Sequence, residues 1–357
     1  MGKETLNRVE LIWNHLIQDD FDKVKFEALK NNHDVVIFGA GEDGKALFNV
    51  LQNQNIIIKY FFDNDIKKKN TYFNKIEIKN PNEFLAIKKN FLFLIANSNH
   101  SFEIRKQLET SFPYSDIYTY QELFLQFIDG SILEIGPLNN PNFRGGNVNY
   151  FDVLNSEGLR KKTIQWGLNP IGVPDKIDYV SANGDLAVVD RTFSCVYSAH
   201  VIEHQPDFVE HLLKVEYLLE HDGVYIMVIP DKRYCMDHYK RLSTIEEVLT
   251  AYNEKRKKHT LKTMLDGLYS THNNSEDHWK GKHGEQTELT LGGVENVMEA
   301  YDNSNGQYMD AHAWQFTPES FERIIVFLNQ LGIIQLSFLK VYDTSYGQQE
   351  FYAVLKK

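Results

Sequence analysis

Cysteine, long apolar runs and excess positive charge are all scarce in this sequence, and each scarcity excludes a class of protein. Two cysteines among 357 residues cannot form a disulfide framework or a cysteine-rich zinc site. No stretch approaches the roughly 20 apolar residues that span a bilayer, and the charged N-terminus has no apolar core of signal-peptide length. The net charge of -11 argues against nucleic acid as the main partner, because phosphate binding needs an excess of lysine and arginine. We therefore expect a cytoplasmic protein without a membrane span.

What the sequence does contain is one structural plan that occurs twice. An apolar run, a glycine-containing turn and a helical pattern follow one another at 35–51 and again from residue 132 onward. Each copy begins a series of strands that alternate with helices, which predicts a parallel sheet. We predict the α/β class with two Rossmann-like doubly wound sheets, divided into an N-terminal domain of residues 1–129 and a C-terminal domain of residues 130–357. A short polar turn separates the last two strands, which predicts an antiparallel pair.

The first glycine turn has the pattern of a nucleotide-binding loop. Gly39, Gly41 and Gly44 lie between a predicted strand and a predicted helix, where glycine permits close approach of the backbone to a phosphate. Asp63 follows near the distance expected for an acid that binds a ribose hydroxyl. A scaffold domain that keeps the turn without a ligand has the same pattern, so both interpretations stay open. Residues 30–127 resemble the Rossmann-like domains of bacterial sugar-modifying enzymes such as sugar acetyltransferases, and the resemblance implies a link to a carbohydrate pathway.

Small and polar residues stand at the ends of four successive predicted strands in the C-terminal half. They are Glu134, Gly136, Pro137 and Asn140 at the first strand, Asp152 at the second, Gly184, Asp185 and Leu186 at the third, and Ala199 and His200 at the fourth. Open α/β sheets bind ligands at the carboxyl ends of their strands. The sequence therefore predicts that these residues form one binding site.

This order of residues resembles the class I S-adenosylmethionine-dependent methyltransferases from about residue 131 to residue 357. The resemblance implies S-adenosylmethionine as the cofactor. It implies the following roles: Glu134 and Gly136 at the start of the cofactor loop, Asp152 on the ribose hydroxyls, Asp185 and Leu186 on the adenine, and Ala199 and His200 beside the methionine end. The loop continues through Pro137 and Asn140, where the family more often has further glycines.

Histidine is concentrated in the C-terminal half and suits the base that an oxygen acceptor needs, because its pKa lies near neutrality. His200, His204 and His238 follow predicted strands of the sheet and are the candidates for this base. A structural role for each single histidine remains the alternative interpretation.

The alternation of strands and helices stops after Pro230, and we predict that residues 232–314 form an acceptor-binding insertion. The insertion has ligand types that suit a metal, but their spacing matches no firm metal motif. These residues are His272, Glu276, Asp277, His278, His283 and Glu285. We therefore predict a solvated polar loop here and no metal site. His312, Trp314 and Phe316 stand where the chain returns to the sheet, either as the floor of an acceptor pocket or as part of the core.

Three functions are compatible with these patterns. The first is methyl transfer to a sugar, a sugar nucleotide or a polysaccharide substituent in surface glycan biosynthesis, with a small molecule or glycan as the partner. The second is a nicotinamide-dependent sugar-nucleotide oxidoreductase or epimerase that uses Gly39 to Asp63, although a suitably placed Tyr-x-x-x-Lys pair is lacking. The third is a binding protein without catalysis. The sequence leaves the oligomeric state open, a homo-oligomer included.

Overall fold

The computed structural model describes residues 4–19, 21–85, 89–97, 100–287 and 289–357. The chain divides into two compact units. The N-terminal unit consists of Leu6–Asp129 and the short segment Asn142–Gly146, and the C-terminal unit contains Gly130–Pro141 and Asn147–Lys357. Every described helix is too short or too polar to cross a lipid bilayer.

The N-terminal unit is a six-stranded sheet with helices packed against it. Its elements are α1 (Arg8–Leu16), α2 (Lys23–Lys30), β1 (Asp34–Phe38), α3 (Glu42–Asn53), β2 (Ile58–Phe62), β3 (Tyr72–Phe73), β4 (Ile76–Lys79), β5 (Phe91–Ile95), α4 (Ser101–Ser111), β6 (Asp116–Thr119) and α5 (Tyr120–Leu125). The strand order is β3-β4-β2-β1-β5-β6. All neighbours pair in parallel except β3 and β4.

Phenylalanine forms much of the core of this unit. Phe62 of β2 packs its ring 5.7 Å from that of Phe93 in β5, and Phe112 lies 5.1 Å from Phe93. The central strands are uninterrupted apolar runs because helices cover both faces of a parallel sheet. This is why β1 and β5 could be predicted from hydrophobicity alone.

The C-terminal unit contains a seven-stranded sheet. Its elements are β7 (Ile132–Ile135), β8 (Val148–Asp152), α6 (Ser156–Gln165), β9 (Tyr179–Val180), β10 (Phe193–Ala199), α7 (Phe208–Leu218), β11 (Leu219–Pro230), α8 (Ile245–Glu254), α9 (Leu261–Asp266), α10 (Ser275–Trp279), α11 (Leu291–Asn303), α12 (Pro318–Gln330), β12 (Ser337–Tyr342) and β13 (Glu350–Lys356). The order is β12-β13-β11-β10-β7-β8-β9, and β13 is antiparallel to both of its neighbours.

Counted within the unit, this order is sixth, seventh, fifth, fourth, first, second and third strand, with the seventh reversed. This is the strand order that the resemblance to class I methyltransferases predicts. The predicted α/β class with two Rossmann-like sheets and an antiparallel terminal pair is confirmed. The order also places the ends of β7, β8, β9 and β10 beside one another at one edge.

Two local predictions differ from the structure. The third strand of the C-terminal half, which the run from Lys176 to Asp185 predicts as a full strand, contains only Tyr179–Val180. It is an edge strand, and the Asp178 carboxylate rather than a strand backbone group accepts the Tyr150 N–H at 3.0 Å. The insertion is the second difference, because it contains the four helices α8 to α11 within its polar sequence. Helix α8 begins at a capping box formed by Thr244 and Glu247.

Both cysteines lie in the C-terminal unit and both are buried as free thiols. Cys195 belongs to β10, and Cys235 follows β11. Burial raises the pKa of the Cys195 thiol far above its usual range and that of Cys235 to about 12. Neither thiol is available as a nucleophile in the folded unit.

Candidate active site

The turn after β7 is shaped by a glycine that no other residue could easily replace. Gly136 has a φ of +71°, a conformation that favours glycine. An added Cβ would come 3.1 Å from the Val201 side chain. The chain then turns, and Asn140 donates its N–H to the Pro137 carbonyl at 3.2 Å. Glu134 is buried within β7, one residue before the strand ends.

Asp152 ends β8 as a buried carboxylate. Only 8% of the residue is exposed, and its Oδ1 accepts the Leu154 N–H at 3.1 Å. Burial raises its pKa to about 6, and hydrogen bonds from the backbone of Leu154 and Val153 offset this only partly. A carboxylate has about four lone-pair positions, so this group is suited to accept two further hydroxyl donors.

Replacing Asp152 with asparagine is expected to stabilise the ligand-free protein at neutral pH. Because the folded pKa of about 6 lies above the usual value of 3.8, the Asp152 contribution to stability is lost as pH rises from 3.8 through 6. An asparagine side chain never ionises, so the D152N protein should gain about 1–3 kcal/mol above pH 6. Urea unfolding at several pH values measures this gain, which should shrink as the pH falls toward about 4. An equal gain at every pH would contradict the prediction.

The turn after β9 carries the residues predicted to bind adenine. Gly184 has a φ of +70°, and Leu186 is buried. The Asp185 carboxylate accepts the Ala187 N–H at 2.9 Å and pairs with Lys214 at 2.7 Å. The hydrogen bond from Lys214 is the main reason that the pKa of Asp185 is lowered. Asp185 would therefore share its carboxylate between a ligand and Lys214.

A cavity of about 680 Å³ lies beside this turn. The turn lines one side of it, and Gln205, Lys214 and Tyr308 are among the residues that line the rest. The volume falls within the range of about 300–1,000 Å³ usual for sites that bind small molecules.

His200 follows Ala199 at the end of β10 and adopts a left-handed φ of +53°. Its Nε2 lies 2.9 Å from Glu350 Oε2, and its Nδ1 lies 3.6 Å from Glu203 Oε1. Burial alone would lower the pKa of His200, but the two carboxylates raise it to about 10. At neutral pH His200 therefore carries a proton and is a cation rather than a free base.

His204 is also held by an acid. Its Nδ1 lies 2.8 Å from Asp310 Oδ1, and the Tyr308 hydroxyl donates to the His204 carbonyl oxygen at 3.2 Å. Burial would lower the pKa of His204, but the hydrogen bond to Asp310 raises it. The ring of His312 stands nearly perpendicular to that of His204, with the ring centroids 4.6 Å apart.

His238 has a different environment, formed by histidines and a backbone carbonyl. Its Nδ1 lies 3.0 Å from the Arg233 carbonyl oxygen, which can only accept. The proton is therefore on Nδ1, and the Nε2 lone pair is free to accept another. Burial lowers the pKa of His238, so the ring is neutral at neutral pH. His283 stacks on it at 3.7 Å, and His278 lies 5.5 Å away.

A second cavity, of about 550 Å³, lies in the insertion. Polar and aromatic side chains line it, among them Tyr239, Arg241, Glu246 and Tyr269. Trp314 borders this cavity but is 4% exposed, and its indole N–H donates to the Gln205 carbonyl oxygen at 2.6 Å. Phe316 packs against Phe208 in the core at 5.6 Å.

In the glycine turn of the N-terminal unit, packing requires glycine at two of the three positions. Gly39 has a φ of +106°, and a Cβ added to it would lie 2.8 Å from the Ala96 carbonyl oxygen. A Cβ added to Gly44 would lie 1.8 Å from the Gly39 carbonyl oxygen. A Cβ on Gly41 would meet nothing within 4 Å. The pattern of two glycines is thus explained by close contact of α3 with the sheet.

Asp63 is already engaged by neighbours within this unit. Its carboxylate accepts the Ala40 N–H at 2.9 Å and the Asp65 N–H at 2.8 Å, and pairs with Lys68 at 2.9 Å. Burial would raise its pKa, but these bonds lower it. A ribose hydroxyl at Asp63 would compete with bonds that hold the turn together.

Comparisons with known proteins add the following likenesses. The family model described as "C2185-like, N-terminal" matches residues 31–116. No curated protein matches the chain. Matching solved structures include a zinc-dependent alcohol dehydrogenase from Rhodobacter sphaeroides (11% identity, 64% of this chain, 84% of that chain, TM-score 0.34). They also include the CcbJ methyltransferase from Streptomyces caelestis, at 14% identity over 63% of this chain and 87% of that chain, with a TM-score of 0.31. A third is magnesium protoporphyrin IX methyltransferase from Synechocystis with bound SAH, at 11% identity over 64% of this chain and 74% of that chain, with a TM-score of 0.28.

Four acids of the site were not predicted from the sequence. Each of them contacts a histidine: Glu203 and Glu350 contact His200, Asp310 contacts His204, and Asp237 contacts His312. Glu203 had a usable signal, because it stands between two candidate histidines directly after a strand. The other three come from the insertion and from the antiparallel β13, whose position between β11 and β12 no local pattern reveals.

Proposed function

We propose that the C-terminal unit is an S-adenosylmethionine-dependent methyltransferase. The observation that carries the proposal is Asp152, a buried carboxylate at the carboxyl end of the second strand, with a pKa raised to about 6. Open α/β sheets bind their ligands at the carboxyl ends of the strands, which is where this carboxylate lies. Asp152 stands beside the Gly136 turn in a sheet whose strand order suits this cofactor.

The residues at this edge fit the parts of the cofactor. Asp152 would accept hydrogen bonds from the ribose hydroxyls, and Gly136 leaves room for the amino-acid end. Leu186 would pack against the adenine ring, with the Asp185 carboxylate shared between the base and Lys214. The cofactor supplies an electrophilic methyl group that an acceptor atom takes up by in-line displacement.

For the acceptor we propose a hydroxylated small molecule of the sugar, sugar-nucleotide or polysaccharide-substituent class. The cavity of about 550 Å³ within the insertion supports this, because tyrosines, charged groups and hydroxyls line it. Such a lining provides hydrogen bonds for hydroxyl groups and flat faces for sugar rings. The two reduced cysteines agree with a reaction in the cytoplasm, and we place the enzyme in surface glycan biosynthesis.

His238 is the histidine that we propose as the base, because its Nε2 lone pair is free while carboxylates hold the protons of His200 and His204. Acceptors can be found with methyl-labelled S-adenosylmethionine and a panel of sugars and sugar nucleotides. On an acceptor so found, H238Q should lower kcat by about 10²–10⁴-fold and leave the affinity for S-adenosylhomocysteine unchanged. H221Q, at an exposed histidine of the same unit, is the control. Unchanged kcat in H238Q would exclude His238 as the base.

Calorimetric titration of the full chain tests the proposed function directly. S-adenosylhomocysteine should bind with one site per chain, whereas NAD and UDP-glucose should give no heat of binding. The contacts of Asp63 with the backbone of its own turn support this expectation for the N-terminal unit. Binding of NAD or UDP-glucose without binding of S-adenosylhomocysteine would overturn the proposal and move the site to the glycine turn of that unit.

A further inference from the structure

Glu203 is a buried carboxylate with unsatisfied oxygens. The residue is 1% exposed, and neither Oε1 nor Oε2 has a hydrogen-bond partner among the residues that the structure describes. Histidines surround it instead, with His200 Nδ1 at 3.6 Å and His204 Nε2 at 3.7 Å from Oε1. A buried charge without hydrogen bonds is costly unless it is paired or coordinates a metal ion.

Two histidines near this carboxylate are each oriented by a different acid. The Nδ1 of His204 lies 2.8 Å from Asp310 Oδ1, and the Nδ1 of His312 lies 2.5 Å from Asp237 Oδ2. Because a carboxylate accepts, each Nδ1 directs its proton to the acid, and a metal ion would bind at each Nε2 on the opposite side of the ring. Histidines that bind metals are oriented in this way, by an acid on the nitrogen away from the ion.

We propose that Glu203, His204 and His312 bind a divalent transition metal ion of the zinc and iron(II) class. One ligand atom of each of the three lies within 4.8 Å of the others. Ligands about 2.1 Å from a tetrahedral ion stand about 3.4 Å apart, so His204 Nε2 and Glu203 Oε1 at 3.7 Å are already near this spacing. Two imidazoles with one carboxylate suit zinc and non-haem iron(II).

The charge around the site supports a cation. Glu203, Asp237, Asp310 and Glu350 bring four carboxylates to the three histidines, and Lys240 pairs with Asp237 at 2.7 Å. A divalent ion would offset part of the negative charge that these carboxylates bring to the site. Three protein ligands leave at least one coordination position open, which an acceptor oxygen or a water molecule could take.

The ligands come from separate parts of the fold, which is why their sequence spacing matched no metal motif. Glu203 and His204 belong to the short 3₁₀ turn after β10, and His312 precedes α12. The Glu203 carbonyl oxygen accepts the Ala313 N–H at 2.8 Å, which holds the two segments together. The proposal is independent of methyl transfer, because ion binding can be measured without cofactor or acceptor.

Zinc binding to the full chain tests this proposal. The protein is treated with a chelator, dialysed and titrated calorimetrically with ZnCl₂, and we expect one ion per chain. E203Q and H312Q should each lower the affinity more than about 100-fold. D310N, which keeps all three ligands, should lower it about 10- to 100-fold. H283Q is the matched control, because it removes a histidine from the separate group formed by His238, His278 and His283.

X-ray absorption of the zinc-loaded wild-type protein provides a measurement that does not depend on folded variants. Two imidazoles with oxygen ligands are expected around the ion. Three imidazoles, or loss of binding in H283Q with normal binding in E203Q, would place the ion at the other histidine group and overturn the proposal. Failure of the wild-type protein to bind zinc or iron(II) would overturn it as well.

Discussion

D152A is expected to lose measurable binding of S-adenosylhomocysteine. The buried carboxylate is the proposed acceptor for two ribose hydroxyls, and a hydrogen bond to a charged group contributes about 1.5–3 kcal/mol. Loss of both therefore corresponds to about 3 kcal/mol or more, which is an affinity at least about 100-fold weaker. Calorimetric titration of wild-type and variant protein measures the difference.

The control for this experiment is D175A, which removes the same charge from a fully exposed position. Asp175 pairs only with Arg160 among the described residues, at 2.9 Å on the surface. D175A should bind S-adenosylhomocysteine as the wild-type protein does. Because D152A removes a buried charge, its thermal midpoint at neutral pH should not fall steeply, so lost binding would not reflect unfolding. Affinity in D152A within about threefold of wild type would contradict the assigned role.

G44A is expected to destabilise the N-terminal unit by about 3 kcal/mol or more. The added Cβ would stand 1.8 Å from the Gly39 carbonyl oxygen, a backbone atom that no side-chain rotation can move. Helix α3 would have to shift away from β1, and overpacking of this kind commonly costs about 1–3 kcal/mol or more. Hydrogen exchange of peptides that cover β1 and β5, followed by mass spectrometry, reports the stability of this unit alone.

G41S is the matched control in the same turn. Gly41 is the N-cap of α3 with an extended backbone, and an added Cβ would meet nothing within 4 Å. Serine is a favourable N-cap residue, so G41S should change the free energy of unfolding by no more than about 0.5 kcal/mol. Similar exchange rates in G44A and G41S would show that the glycine pattern does not serve packing.

The strands that form the candidate site were predictable because burial leaves a clear pattern. The runs that became β7, β8 and β10 are largely apolar and end at, or are followed closely by, glycine, aspartate or histidine. Parallel strands bring such ends to one edge, so Gly136, Asp152 and His200 could be grouped without a structure. The length of β9 was overestimated. This strand lies at the edge of the sheet, where only Tyr179–Val180 pair with a neighbour.

The contacts within the site could not be predicted in the same way. His200 meets Glu350, and His204 meets Asp310, across segments whose relative position depends on the antiparallel β13 and on the insertion. Sequence patterns report which face of an element is buried, but not which side chain stands opposite it. Helix α11 was not predicted either, and none of its residues is buried.

The two buried thiols can be used to measure how often the protein around them opens. Cys195 and Cys235 are the only cysteines of the chain, and both are buried in the C-terminal unit. A thiol reagent therefore cannot react until the segments around these two thiols become exposed. The rate of modification gives the frequency with which β10 and the segment after β11 become exposed. Any ligand that binds at the ends of these strands will slow that rate, so binding can be followed without knowledge of the reaction.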